Sequence, residues 1–179
     1  MEPLLVISRG IDRLTAGFAV IAFYLVLFAV LISAGNATVR YLFNYSSNAF
    51  LEIQWYMFAG IVMLGTAYTF QKNGHVRVDL LYSALSDRGR LYIDIFGILV
   101  FLIPVVGYLI YLTVPFFVNS LNSGEVSMNA GGLVLWPAKL MLPLGFILLE
   151  LQAISELIKR LSALQGVITV DTTYEKPLQ

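Results

Sequence analysis

The sequence predicts an all-α integral membrane protein with four transmembrane helices and both termini on the cytoplasmic side. Of its 179 residues, 59% are hydrophobic and only 12% are charged, whereas an ordinary soluble domain is about 25% charged. The hydrophobic excess lies in four apolar runs, each long enough for the roughly 20 helical residues that cross a bilayer core. The lysines and arginines cluster in alternate connections between these runs, which indicates the orientation.

The four predicted spans cover residues 14–35, 50–70, 92–118 and 133–158 and form one domain, residues 1–165. The first run follows two arginines, as the apolar core of a signal peptide does. Its length exceeds the ~7–15 residues of such a core and no clean cleavage site follows, so we expect a retained helix. Residues 1–13 mix apolar and charged side chains and are predicted to form a short helix in the inner interface. Residues 166–179 are predicted to be a disordered cytoplasmic tail.

The predicted orientation rests on the positions of the basic residues. Two precede the first run, four lie between the second and third runs, and three follow the fourth: Arg9, Arg13, Lys72, Arg77, Arg88, Arg90, Lys159, Arg160 and Lys176. The other two connections hold only Arg40, since Lys139 lies inside the fourth run. Cytoplasmic loops carry the excess of lysine and arginine, so the termini and the middle connection are predicted to be cytoplasmic.

Two connections have patterns of their own. Between the second and third spans, Val78, Leu81 and Leu85 recur at helical spacing and predict a short amphipathic helix on the cytoplasmic surface. Asp79 is placed to cap that helix. The connection "NSLNSGEVSMNAGG" between the third and fourth spans is polar and rich in glycine, so we expect it to be irregular and mobile.

Prolines interrupt the third and fourth spans. Pro104 and Pro143 lie well inside them, where a proline removes a backbone donor and clashes with the preceding turn. We expect a helix kink near each, and the simplest role of both is to set helix curvature.

Ionisable residues within the spans are costly, at about 2.5–3.5 kcal/mol for a charge at a helix centre, and therefore need a reason. Glu52 and Lys139 lie about one turn inside the outer ends of the second and fourth spans. They are expected either to pair with each other or to leave Lys139 free to reach the headgroups. Glu150 falls on the same helical face as Lys139 and near Pro143, so that face is expected to contact protein, including another subunit. Asp94 is predicted to cap the N-terminus of the third span.

The residue types present disfavour several functions. The chain has no cysteine and a single histidine, His75, which argues against thiol, iron–sulfur and most catalytic constellations. Zero net charge without a basic tract argues against nucleic-acid binding. Two alternatives remain: a membrane anchor of a respiratory enzyme that shares a haem through His75, and a small proton-coupled exporter that uses Glu52.

A series of short motifs resembles a known family. "RYLFN" follows the first span, Glu52 opens the second, "LGTAY" lies within it, and "NGHVRVD" stands at its cytoplasmic end. "LWPAKLMLPLGFILLELQ" begins the fourth span. In this order, from about Asn36 to Leu161, the segments resemble the small membrane subunit, DctQ-like, of the TRAP (tripartite ATP-independent periplasmic) transporters. Many relatives carry two adjacent acids at the start of the second span, whereas this chain has Leu51-Glu52.

The resemblance implies a non-catalytic scaffold in a bacterial inner membrane. Its partners would be a large elevator-type membrane subunit that couples sodium to uptake of an organic acid, a periplasmic substrate-binding protein that reaches it through the complex, and membrane lipids. No cofactor is implied in this chain. The candidate partner-contact or structural polar residues are Arg40, Glu52, His75, Arg77, Asp79, Lys139 and Glu150.

Overall fold

A computed structural model describes residues 2–75 and 85–169 of the chain. The helices in this part are α1 (Glu2–Phe43), α2 (Asn48–Gln71), α3 (Asp87–Phe96), a π-helix (Gly97–Leu102), α4 (Ile103–Ser123) and α5 (Trp136–Leu164). Four helical stretches are long and apolar enough to cross a membrane, the third being the continuous run Asp87–Ser123. The prediction of an all-helical protein with four candidate spans is confirmed. The orientation remains a prediction, and the amphipathic helix falls on residues 76–84, outside the described ranges.

Helix α1 is much longer than predicted. It has 42 residues, about 63 Å at 1.5 Å per residue, roughly twice the hydrocarbon thickness. The short interfacial helix expected for residues 1–13 is therefore wrong for the described residues 2–13, because they are the first turns of α1. Ser8 and Asp12 in these turns form hydrogen bonds with α5, which hold the N-terminal turns in line. At the other end the helix continues to Phe43 and stops at Asn44, whose φ of 51° is left-handed.

Helix α2 has a defined start and stop. The Ser47 hydroxyl accepts a hydrogen bond from the Ala49 backbone N–H, as expected for an N-cap. After Gln71 the chain turns through Asn73, whose φ is 53°. The Gly74 N–H then donates to the Thr69 carbonyl at 2.9 Å. This turn delivers His75 to the surface at the end of the second span.

The third span departs from α-helical geometry just before Pro104. The Ile103 N–H donates to the Ile98 carbonyl, five residues back, which is the spacing of a π-helix. Pro104 has no N–H to donate to the carbonyl four residues before it. The extra residue in the preceding turn is thus the local response to the proline. In contrast, α5 continues through Pro143, which is buried.

Helix α5 is the centre of the bundle and packs against α1, α2, α3 and α4. The small apolar core consists of Ala22, Leu64, Ala67 and Leu148. Helix α1 reaches it through one narrow face, because its buried residues recur every seven positions: Ser8, Thr15, Ala22 and Ala29. Seven residues are close to two helical turns, so these side chains lie in one line. The outer faces of α1 and α4 carry large exposed apolar side chains, as a lipid-facing or partner-facing surface requires.

Helices α2 and α5 approach each other closely at Gly145 of α5. A Cβ atom at this position would lie 2.6 Å from the Cβ of Met63 and 2.7 Å from the Met63 carbonyl oxygen on α2. Small residues at such points let helix backbones approach closely, which is the main source of helix packing in a membrane. Gly145 therefore sets the spacing between α2 and α5.

We expect Gly145→Val to destabilise the folded chain by about 2 kcal/mol, since an overpacked core must separate the helices. The measurement is the thermal unfolding midpoint of the purified protein in detergent. Gly107→Val in α4 is the matched control, because a Cβ there meets no atom within 4 Å. Equal midpoints for the two variants would contradict the assigned role of Gly145.

Candidate functional site

At one end of the bundle, Glu52 of α2 holds the connection between α4 and α5. We call the group Glu52, Ser127, Asn129 and Leu133 the Glu52 site. The Glu52 side chain is buried, with only 2% of the residue exposed. Its carboxylate accepts hydrogen bonds from the Ser127 hydroxyl, from Asn129 Nδ2 at 2.8 Å and from the Leu133 backbone N–H at 2.7 Å. Three donors from one short loop satisfy a buried charge that would otherwise be very costly.

The loop that Glu52 holds has more order than the sequence indicated. Val126 and Val134 form an antiparallel bridge, with Ser127 N–H donating to the Leu133 carbonyl at 2.9 Å. The Tyr56 hydroxyl of α2 donates to the Val134 carbonyl at 2.8 Å. The expected irregular, mobile connection is therefore a small hairpin fastened to α2.

Lys139 belongs to the same end of the bundle but has its own partner. Its ammonium group binds the Glu125 carboxylate in the hairpin and lies 4.1 Å from the centroid of the Phe116 ring. The hydrogen bond from Lys139 holds the pKa of the Glu125 carboxyl below its usual value. The expected Glu52–Lys139 pair is thus wrong: each residue binds a different part of the hairpin. The hairpin offers the Glu52 carboxylate several donors, including a backbone N–H, and so satisfies it better than one lysine would.

At the opposite end, a second cluster joins the N-terminal part of α1 to the C-terminal part of α5. We call it the terminal network: Asp12, Asp94, Gln152, Ser155, Glu156, Lys159 and Arg160. Asp12 Oδ1 accepts hydrogen bonds from Gln152 Nε2 and Ser155 Oγ, both at 2.9 Å. Lys159 Nζ lies 3.0 Å from Asp12 Oδ2. One aspartate of α1 is therefore held by three side chains of α5.

Arg160 extends the terminal network to two further elements. It is 2% exposed, and its Nε donates to Asp94 Oδ2 on α3 at 2.9 Å. Its Nη1 binds the Glu156 carboxylate on α5, and its Nη2 lies 3.5 Å from Asn73 Oδ1 in the turn after α2. The neighbouring carboxylates offset the cost of burying the guanidinium charge. Arg160 thus connects α2, α3 and α5.

Asp94 does not cap a helix, contrary to the prediction. The N-cap of α3 is Ser86, whose hydroxyl accepts from the Gly89 N–H at 3.4 Å. Asp94 lies two turns further on, where the helix dipole has little effect and the Arg160 guanidinium is the stronger partner.

Two hydroxyl contacts between α1 and α5 accompany the terminal network. The hydroxyls of Ser8 and Ser155 are 2.7 Å apart, and the Thr15 hydroxyl donates to Gln152 Oε1 at 2.9 Å. The sequence analysis did not predict the terminal network or these hydroxyl contacts. A signal was present, because the polar residues 8, 12 and 15 share one face of α1, and residues 152, 155, 156 and 159 share one face of α5.

The remaining predicted site residues are dispersed. Arg40 is exposed in the last turn of α1. His75 is exposed, with its ring centroid 6.2 Å from that of Phe70. Glu150 is half-buried in α5, and its Oε2 atom has no hydrogen-bond partner among residues 2–75 and 85–169. The predictions for Arg77 and Asp79 fall outside the described residues.

The Glu52 site and the terminal network hold the helices together through hydrogen bonds and ion pairs. In each cluster, carboxylates accept hydrogen bonds from lysine, arginine, amide or hydroxyl groups. The two clusters lie at opposite ends of the bundle, whose middle part is apolar. The described part of the chain contains no group of three or more histidine, cysteine, aspartate or glutamate residues that could hold a metal ion. The hydrogen bonds and ion pairs of the two clusters therefore support assembly of a helix bundle.

We expect Glu52→Gln to release the hairpin, because the amide places a donor against the donors that the carboxylate now accepts from. Leaving a buried donor unsatisfied costs about 1–3 kcal/mol. Amide hydrogen exchange of residues 124–135 should become faster while α5 stays protected. Gln54→Glu, an adjacent exchange with the opposite change in charge, is the control; faster exchange in that variant alone would contradict the assignment.

We expect Arg160→Met to destabilise the bundle by about 3–5 kcal/mol, since removing one partner leaves buried carboxylates without their counter-charge. The measurement is thermal unfolding in detergent. Arg88→Met, at an exposed position in the first turn of α3, should have little effect. A similar loss in both variants would show that basic residues in general, rather than the terminal network, stabilise this end.

Comparison with known proteins places these features in a family. The model of the family "Tripartite ATP-independent periplasmic transporters, DctQ component" matches residues 29–163, which include both clusters apart from the contributions of α1. The curated proteins and the solved structures gave no match. The matched range covers more than two thirds of the chain and confirms the resemblance seen in the sequence. This chain, with its four helices suited to crossing a membrane, belongs to the DctQ component family of the TRAP transporters.

Proposed function

We propose that this chain is a non-catalytic scaffold that holds the large membrane subunit of a TRAP uptake system in a bacterial inner membrane. The family match over residues 29–163 carries this proposal. In it, sodium coupling and movement of the organic acid belong to the large subunit, and a periplasmic binding protein delivers the substrate. The small subunit supplies a fixed surface.

The packing of the bundle supports a fixed surface. The Glu52 site and the terminal network fasten the spans at opposite ends, and Gly145 brings α2 and α5 into close contact between them. A scaffold for a moving partner needs such internal fastening, because it must not follow the partner's motion. The large exposed side chains of α1 and α4, among them Phe23 and Tyr111, offer an apolar surface to a partner or to lipid.

The orientation of the two ends follows from the basic residues. With both termini in the cytoplasm, the terminal network lies on the cytoplasmic side and the Glu52 site faces the periplasm. The hairpin of the Glu52 site is then on the side from which the substrate-binding protein approaches the complex.

Glu150 is the side chain best suited to contact the large subunit. It lies within the fourth span, and its Oε2 atom has no hydrogen-bond partner in the described part of the chain. Polar side chains at membrane depth face a protein partner or a cavity rather than lipid. Lys139 on the same helix has an internal partner in Glu125, so it is less suited to this role than the sequence indicated.

The test is co-purification of the tagged chain with the large subunit from membranes. The wild-type chain should retain the large subunit, whereas Glu150→Leu should retain about tenfold less, the effect of roughly 1.4 kcal/mol. Insertion of Glu150→Leu should be undiminished, because removing a charge favours the membrane. Lys139→Leu is the control and should retain the large subunit.

Two results would overturn parts of this proposal. Sodium- or proton-driven uptake by liposomes that contain this chain alone would exclude a scaffold that depends on a partner. Equal retention of the large subunit by Glu150→Leu and the wild-type chain would remove Glu150 from the interface while leaving the scaffold itself intact.

A further inference from the structure

The side of α5 that points away from α2 carries a narrow apolar line. Three residues of α5 are exposed, Ile147 at 40% and both Ile154 and Leu161 at 39%, and we call them the α5 line. Ile154 follows Gly145 by nine residues, which is half a turn around the helix axis at about 100° per residue. Because Gly145 lies against Met63 of α2, the α5 line is on the opposite side of the helix.

Neighbouring helices flank the α5 line on both sides. Ser155 contacts Ser8 of α1 and is about 100° from Ile154 in one direction around the axis. Arg160 binds Asp94 of α3 and is about 120° from Ile154 in the other direction. The line therefore lies between α1 and the third span. Its members are seven residues apart, which is the spacing at which a second helix packs against the first at about +20°.

Glu150 lies beside the α5 line, about 40° from Ile154 around the axis. Its Oε2 atom is buried and has no hydrogen-bond partner within residues 2–75 and 85–169. Acyl chains have no hydrogen-bond donor, so lipid tails do not satisfy this oxygen. A carboxylate oxygen left in this way at membrane depth indicates a protein donor next to the line.

The length of the α5 line also favours a protein neighbour. From Ile147 to Leu161 it covers about 21 Å at 1.5 Å per residue. Asp12 precedes the apolar run of α1, which begins at Leu14, and it binds Lys159 of α5. The charged boundary of the membrane is therefore near Lys159, and Leu161 lies beyond it. An acyl chain reaches only the part of the line within the hydrocarbon, whereas a helix that continues past the boundary covers all of it.

We propose that one transmembrane helix of the large subunit lies along the α5 line and presents a hydrogen-bond donor to Glu150 Oε2. This inference rests on the proposed scaffold function. It assigns the contact to the side of α5 between α1 and the third span, and it leaves the outer faces of α1 and α4 to lipid.

Site-specific photocrosslinking in the complex tests the contact. The crosslinking amino acid p-benzoylphenylalanine is incorporated in turn at positions 147, 154 and 161 of the tagged chain, which is expressed with the large subunit and irradiated in membranes. Each position should give a product that contains the large subunit. Position 21 is the matched control, because Ile21 is 49% exposed on α1; it should give about tenfold less of this product.

Co-purification of substituted chains tests the same contact by a second route. Ile154→Trp places a bulky side chain where the partner helix packs, so it should retain about tenfold less of the large subunit than the wild-type chain. Ile21→Trp is the matched control and should retain the large subunit. Glu150→Gln keeps an acceptor oxygen, so it should retain more of the large subunit than Glu150→Leu. Elution position and helical circular dichroism establish that each variant is folded.

Several outcomes would overturn this inference while leaving the scaffold intact. Crosslinks from position 21 in place of the α5 line would assign the large subunit to the outer face of α1. Crosslinks from the α5 line to a second copy of the chain would assign it to self-association, and crosslinks to lipid alone would assign it to the bilayer. Equal losses in Glu150→Gln and Glu150→Leu would contradict the donor. Failure of the wild-type chain to retain the large subunit would instead contradict the scaffold function itself.

Discussion

The bundle depends on the requirement that every charge removed from water find a counter-charge or a full set of hydrogen bonds. Helix α5 meets this requirement for most of the molecule. Its last turns supply Gln152, Glu156 and Arg160, and through these the chain secures the N-terminal turns of α1 and the start of the third span. The cost of leaving buried Arg160 unpaired is several kcal/mol, comparable with the whole stability of a small domain. The positions of the end of α2, of α3 and of α5 are therefore coupled through one side chain, Arg160.

The polar fasteners lie at the ends of the bundle and the middle is apolar. Between the ends the helices are held by small residues and van der Waals contact, with Ala67 and Ala153 fully buried and Gly145 in close contact with Met63. Lipid competes poorly with such packing because it cannot fill the space between closely apposed backbones.

The sequence predicted what depends on local composition and missed what depends on pairing across the fold. Four spans followed from run length alone, and the described part of the chain has four helices long and apolar enough to cross a membrane. The N-terminal turns of α1 were mistaken for a separate interfacial helix, because Ser8 and Asp12 look like surface residues until their partners on α5 are known. Glu52 was identified as an acid within a span, but its partners are two side chains and a backbone N–H of one loop, which residue patterns do not reveal. The family motifs identified the class of protein better than any charged residue did.

The π-helix before Pro104 has a consequence for the phase of the third span. Buried Leu91 and Ile98 are seven residues apart, whereas the next buried residue, Val106, follows after eight. At about 100° per residue, an uninterrupted α-helix would place Val106 about 60° from Leu91 and about 80° from Ile98 around the helix axis. The wider turn absorbs one residue, so the positions before and after it face α5 together. The buried residues of this span therefore follow a seven-residue spacing only if one additional residue is counted at Gly97–Leu102.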